Sequence, residues 1–137
     1  TSSRPASSAL RVMLAAAVRE AQEEIGLDPA RIRLLGMLER EYAYTSDFEI
    51  HPVLAFQEAG ATSFPRFDPN EVDEILLPRV EVFLFPPRLE WAKHGAAQAL
   101  FPVFELPGSH RVWGATARIL WQLGRALRPP QEGNPCR

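Results

Sequence analysis

The chain has 137 residues, 46% of them hydrophobic, and a formal net charge of −2 from 15 basic and 17 acidic residues interleaved along its length. That length supports one core of ordinary size, and the mixed charge excludes the basic footprint of a nucleic-acid binder. The single cysteine, Cys136, leaves no disulfide framework and no Cys/His zinc site, and no stretch reaches the roughly 18 to 20 consecutive apolar residues of a membrane helix, so a soluble, cytoplasmic, single-domain protein is expected.

Residues 1–9 are Ser, Ala, Pro and Arg with one Thr and are expected to be a flexible N-terminal segment. A start at Thr1 rather than methionine suits a fragment. From 10 to 25 the residues are good helix formers, with Leu10, Met13, Leu14, Ala17, Ala21 and Ile25 at steps of three or four, which predicts an amphipathic helix. Ser7 or Ser8 is placed to cap its start, and Gly26 stands where a left-handed residue ends a helix. Asp28-Pro29 then enforces a turn.

A strand is expected over 32–38 and a second over 48–56, with Phe48, Ile50, Val53, Leu54 and Phe56 partly buried and Pro52 at an edge or bulge. Residues 58–69, rich in Gly, Pro, Ser and Asp, read as a loop leading into Asn70-Glu71-Val72-Asp73-Glu74. Short elements are expected over 75–77 and 80–85, interrupted by Pro78 and closed by Pro86-Pro87. Residues 100–106 read as a strand, Pro107-Gly108 as a turn, and 114–127 as a helix with Ala117, Leu120, Leu123 and Leu127 facing inward. The domain is thus expected over 10–128, followed by a disordered Pro-rich tail over 129–137.

Glu20, Glu23 and Glu24 stand at i, i+3 and i+4, so a helix brings all three carboxylates to one face. Such acidic patches are usually solvated surface. When they bind a cation, hard oxygen donors suit Mg2+ or Mn2+, which can bridge diphosphate oxygens, offset charge in the transition state and acidify a water as nucleophile. Arg19 can orient one carboxylate or pair with Glu23 four residues on.

The full string Arg19-Glu20-Ala21-Gln22-Glu23-Glu24-Ile25-Gly26-Leu27 resembles the second half of the Nudix box, Arg-Glu-x-x-Glu-Glu-x-Gly followed by an aliphatic residue. The first half does not match, because its glycine and glutamate would fall at Pro5 and Arg11. Further on, Leu35-Gly36-Met37-Leu38 and Thr45-Ser46-Asp47-Phe48-Glu49-Ile50-His51-Pro52-Val53 resemble the coenzyme A diphosphatase-like group of that family, with Asp47 where the group has glycine. Glu71-Val72-Asp73-Glu74-Ile75, Pro102-Val103-Phe104 and Val112-Trp113-Gly114-Ala115-Thr116-Ala117-Arg118-Ile119-Leu120 continue the likeness. The resemblance implies an α/β (α+β) fold, a Nudix-like α/β/α sandwich with a mixed sheet, here N-terminally incomplete because strands that precede the box are not in this chain. The upstream stretch associated with coenzyme A recognition would likewise lie before Thr1.

By that resemblance the chain is a metal-dependent hydrolase that cleaves a phosphoanhydride bond in coenzyme A or a related nucleoside diphosphate derivative. Mg2+ or Mn2+ would sit on Glu20, Glu23 and Glu24, and Glu23, Glu24 and Glu74 would be catalytic, with Glu74 or Glu71 in reach as general base. The partner is a small-molecule nucleotide or coenzyme A substrate, with no nucleic acid and no membrane, and a sheet edge left by absent strands would favour a homodimer. Two other readings remain open: a Nudix-like remnant or nucleotide-binding module without turnover, and a small α+β protein whose acidic helix is only a soluble face. His51, His94 and His110 have no metal-ligand spacing. Arg111 and Arg118 reach phosphates or, more ordinarily, pair with acids. Tyr42, Tyr44 and Trp91 stack on a base or, more ordinarily, pack in a core or at its rim, and Trp113 is expected in a core.

Overall fold

A computed structural model describes residues 5–44, 46–58 and 67–129. The segment before Pro5, most of the loop expected at 58–69 and the tail from residue 130 lie outside the described residues. The elements are mixed: α1 (Pro5–Ile25), a 3-10 turn (Pro29–Arg31), β1 (Ile32–Met37), β2 (Glu41–Ala43), β3 (Phe48–Ile50), β4 (Val53–Gln57), a second 3-10 turn (Val80–Leu84), β5 (Arg88–His94), β6 (Ala97–Leu106), β7 (His110–Val112) and α2 (Gly114–Leu127). This α+β content is consistent with a Nudix-like fold. Every strand pair among the described residues is antiparallel: β1 with β4, β2 with β3, and β5 with β6 with β7. No described helix is long and apolar enough to cross a membrane.

The chain forms two compact units, Thr1–Leu38 with His51–Leu77 and Glu39–Ile50 with Pro78–Arg137. In the first, α1 begins five residues earlier than the apolar periodicity suggests. Proline is tolerated in a first helical turn because its missing N–H has no intrahelical partner there, so Ser7 and Ser8 lie inside the helix rather than capping it. The helix stops at Gly26, whose φ of 68° is left-handed. There the Gly26 N–H donates to the Gln22 carbonyl at 3.0 Å and the Leu27 N–H reaches the Ala21 carbonyl at 3.3 Å, satisfying carbonyls the last turn would leave open. Asp28 then caps the 3-10 turn, its Oδ1 accepting from Ala30 N at 3.0 Å.

β1 and β4 pair from Ile32 opposite Gln57 to Met37 opposite Val53, and the register slips between Leu34 and Gly36. Leu35 is thus one extra residue, a bulge that turns its side chain outward. The strand expected over 48–56 is two strands, because His51-Pro52 breaks it and Pro52 has no N–H to give a ladder. Of its apolar residues, Ile50, Val53 and Leu54 are half-buried, while Phe48 and Phe56 are exposed.

The second unit holds the buried hydrophobic core, Phe83, Val103, Phe104, Leu106 and Ala117. Phe83, from the second 3-10 turn, meets Phe104 of β6 edge to face, with centroids 5.1 Å apart and planes at 83°. Leu120, Trp121 and Val112 pack around them. α2 occupies the residues its periodicity predicts and buries Ala117, with Leu120 and Leu123 half-buried, whereas Leu127 is exposed. Gln122, not foreseen as an inner residue, is buried on the same helix. It donates to Glu41 Oε1 at 2.7 Å and to the Glu39 carbonyl at 3.3 Å, and accepts from Glu39 N at 2.9 Å. One amide side chain therefore fixes the strand entering β2 against α2.

Gly124 sits where α2 crosses the 3-10 turn. A Cβ there would lie 1.7 Å from the Phe83 carbonyl oxygen and 2.6 Å from its carbon, so the contact exists only for glycine. Helix propensity alone favours Gly124→Ala by about 1 kcal/mol, but overpacking against backbone costs about 1 to 3 kcal/mol or more. Urea unfolding should show Gly124→Ala to be destabilised, and a higher midpoint than wild type would contradict this packing.

Candidate functional site

The acidic face of α1 is on the first unit. Glu20, Glu23 and Glu24 are all exposed within little more than one turn. Glu23 lies 3.9 Å from Arg19 Nε, a loose pair between two exposed side chains, while Glu20 and Glu24 have no side-chain partner among the described residues. Like charges at this spacing cost about 0.2 to 0.5 kcal/mol per pair when uncompensated. The donors are hard and free to reorient, so their chemistry fits a divalent cation. They are not drawn together, however: among the described residues no three His, Cys, Asp or Glu side chains form a group arranged to hold a metal.

A second element meets the end of this helix. The Asp68 N–H donates to the Glu24 carbonyl at 3.0 Å, taking up another carbonyl of the last turn. From there the chain reverses: the Asp68 carbonyl accepts from Glu71 N at 3.1 Å and Val72 N at 2.8 Å, and Asp68 Oδ1 accepts from Asn70 N at 2.8 Å and Asn70 Nδ2 at 3.0 Å. Glu71 and Glu74 are both exposed, Glu74 two residues beyond this turn. Glu23 and Asp68 border a recess of about 520 Å³ with Leu27 and Phe67. Asp68 was not singled out from the sequence, although Asp-Pro-Asn is a turn signal with a known mechanism.

The second unit has a larger cavity, about 810 Å³, whose walls include Tyr44, Phe101 and Trp113 together with Lys93, Arg111 and Arg118. Trp113, expected in the core, is 64% exposed at this rim, because it immediately precedes α2 and its neighbours Val112 and Ala117 take the inward positions. Arg111 and Arg118 pair with acids. Arg118 Nε bonds Glu41 Oε2 at 2.8 Å, its guanidinium also donates to the Tyr42 carbonyl, and it lies over the Tyr44 ring. Arg111 meets Glu90 at 2.6 Å and Glu105 at 3.3 Å, and Arg88 bonds the same two carboxylates. Tyr42 and Tyr44 contact each other edge to face at 5.4 Å, and Trp91 is exposed on β5.

Comparison with known proteins agrees with the α1 motif. The NUDIX domain family model matches residues 12–100. The chain is 29% identical over 121 residues to Nudix hydrolase 22, chloroplastic, of Arabidopsis thaliana, an alignment covering 83% of this chain and 40% of that protein. The chain thus spans less than half the length of that curated relative. No solved structure matches.

The charge ring on the β5–β6–β7 sheet sets a measurable titration. The Arg111 hydrogen bond, aided by the charges of Arg111 and Arg88 and opposed by desolvation, holds the Glu90 carboxyl below its ordinary value. A carboxyl depressed by folding stabilises the fold above its unfolded pKa, and that contribution is lost as pH falls through the folded value. The Glu90 pairs therefore persist at neutral and mildly acid pH and open on the acid side of the ordinary carboxylate range. In a side-chain carboxyl NMR titration the Glu90 midpoint should lie below that range and move up in Arg111→Ala. An unmoved midpoint would show that the pairing does not set it.

Proposed function

This chain belongs to the Nudix family, and from that premise we propose that it is a metal-dependent hydrolase of nucleoside diphosphate derivatives, with coenzyme A or a close relative as substrate. The observation that carries the reading is the Arg19-Glu20-x-x-Glu23-Glu24-x-Gly26 face of α1: three carboxylates on one exposed surface, two of them without a side-chain partner among the described residues, and a left-handed glycine ending the helix behind them. The coenzyme A assignment is supported by the downstream likeness running from Leu35 to Leu120. The name of the plant relative supports hydrolysis as the reaction class.

Glu20, Glu23 and Glu24 would hold Mg2+ or Mn2+. The ion, when bound, neutralises diphosphate charge and lowers the pKa of an attacking water. Arg19, 3.9 Å from Glu23, forms a loose pair that leaves the carboxylate free to turn toward the ion. Glu74 is the residue we assign to take the proton from water, since it follows the turn tied to Glu24 and carries a carboxylate. Water adds to one phosphorus, the phosphoanhydride oxygen leaves with the other, and the products are two phosphate monoesters.

A second reading, a binding module without turnover, has one observation in its favour. α1 runs unbroken from Pro5 to Ile25, so the positions corresponding to the glycine and glutamate of the box, Pro5 and Arg11, are helical, whereas the family's box enters its helix from a loop. That reading predicts metal or nucleotide binding and no product.

The test is product release from coenzyme A and a panel of nucleoside diphosphate derivatives. Turnover should require added Mg2+ or Mn2+, vanish with a chelator and return on readdition. Removing a charge-stabilising group from a transition state typically costs about 100- to 1,000-fold in kcat, and Glu24→Gln should fall by that order while remaining folded. No product from the folded wild-type chain with any of these substrates would leave the binding module.

A further inference from the structure

The helix that carries the three glutamates and the segment that carries Glu71 and Glu74 are far apart in sequence. One backbone hydrogen bond ties the beginning of the second to the end of the first: Asp68 N to the Glu24 carbonyl, 3.0 Å. Immediately after it, Asp68 uses its own carbonyl and side chain to close the chain on itself through Glu71, Val72 and Asn70. Three further main-chain donors and one side-chain amide thus converge on one residue.

The consequence is a limit on where Glu74 can be. Residues 68–72 are held as a compact turn, and Glu74 is two residues farther on, so its Cα is within about 7 Å of the Val72 Cα even if the chain is fully extended. The tie at Glu24 fixes the other end of that span against the last turn of α1. Without the Asp68 side chain, Asn70 N loses its acceptor and the turn loses the two bonds that hold its middle, while the span to Glu74 keeps its length and gains freedom.

We propose that Asp68 is a positioning residue, and that the turn it organises delivers the Glu74 carboxylate to the metal-binding face of α1. This rests on the proposed metal site at Glu20, Glu23 and Glu24. In this role Asp68 acts through the turn, its Oδ1 being committed to Asn70, and needs no contact with metal or substrate. The role needs an acceptor oxygen at Oδ1 and no negative charge, so asparagine should replace it and alanine should not.

The experiment uses Mn2+ as the probe on the full chain, read by paramagnetic broadening of assigned NMR signals. In wild type, substoichiometric Mn2+ should broaden the amides of Glu20 to Glu24 and also the methyl signals of Val72 and Ile75, which flank Glu74. In Asp68→Ala the α1 signals should broaden as before, and the broadening at Val72 and Ile75 should fall at least severalfold. Asp68→Asn should behave as wild type. With a turned-over substrate, Asp68→Ala should lower kcat about tenfold with KM little changed, and should cost nothing further in a Glu74→Gln background.

The outcomes separate the two levels of inference. Broadening on α1 with none at Val72 and Ile75 in wild type overturns the positioning role and leaves the metal site standing. Equal broadening in wild type and Asp68→Ala overturns it as well, as does a loss in Asp68→Asn equal to that in Asp68→Ala. If Mn2+ leaves the α1 signals unchanged, the metal site fails and the role of Asp68 falls with it.

Discussion

The left-handed turn at Gly26 ends α1 directly behind Glu23 and Glu24, and the geometry of the first unit depends on that stop. A helix that continued would keep its last carbonyls for its own N–H groups. Because it ends there, the Glu24 carbonyl is open, and Asp68 N takes it. The same termination leads through Leu27 to Asp28, which caps the next turn and sends the chain into β1. A glycine in a helical pattern thus decides where the acidic face lies, what can reach it and how the following strand begins.

The two units treat charge in opposite ways. In the second, Arg88 and Arg111 share Glu90 and Glu105 across three strands, and Arg118 is held by Glu41 and the Tyr42 carbonyl beside the buried amide of Gln122. An anion entering the cavity beside Arg118 would have to displace a carboxylate that is already bonded and partly buried, so these arginines serve the fold before any ligand. On α1, among the described residues, the glutamates have one ion pair, Arg19 with Glu23 at 3.9 Å. Like charges left uncompensated on a helix carry a small cost, which is the physical argument behind the proposed cation.

The helices were legible because apolar spacing near the helical period and a terminal glycine are local signals: α2 occupies residues 114–127 as read, and α1 ends at Ile25. The short strands were not. β2, β3 and β7 have three residues each, too few to show alternation. β5 does alternate, but with Arg88, Glu90 and Lys93 among its residues and Pro86-Pro87 before it, its sequence resembles a polar loop; Arg88 and Glu90 are paired in the ring that only the strand register creates. Trp113 was misplaced because size and hydrophobicity do not say which of several adjacent apolar residues faces inward. Of the candidate site, spacing alone places the three glutamates on one helical face, and it is the whole string from Arg19 to Leu27 that makes them candidates. The hydrogen-bond partners of Gln122 and Arg118 lie 76 to 83 positions away, beyond any local pattern.

The departure at Pro5 and Arg11 bears on how the site works more than on where it is. In the family the box enters its helix from a loop, and a loop can bend to meet a substrate. Here those positions lie in α1: Pro5 has no N–H to offer, and the N–H and C=O of Arg11 are engaged within the helix, so neither presents much to a phosphate. On the proposed reading, the substrate would approach Glu20, Glu23 and Glu24 from the other end of the helix, where the carbonyl of Glu24 meets Asp68 and the recess beside Glu23 opens. That end is acidic on both sides, at Glu23 and at Asp68, and a diphosphate would be repelled from it in the absence of a cation. Metal binding and substrate binding are consequently expected to be coupled in this chain, with the ion needed for the diphosphate to bind and not only for the reaction of the bound diphosphate.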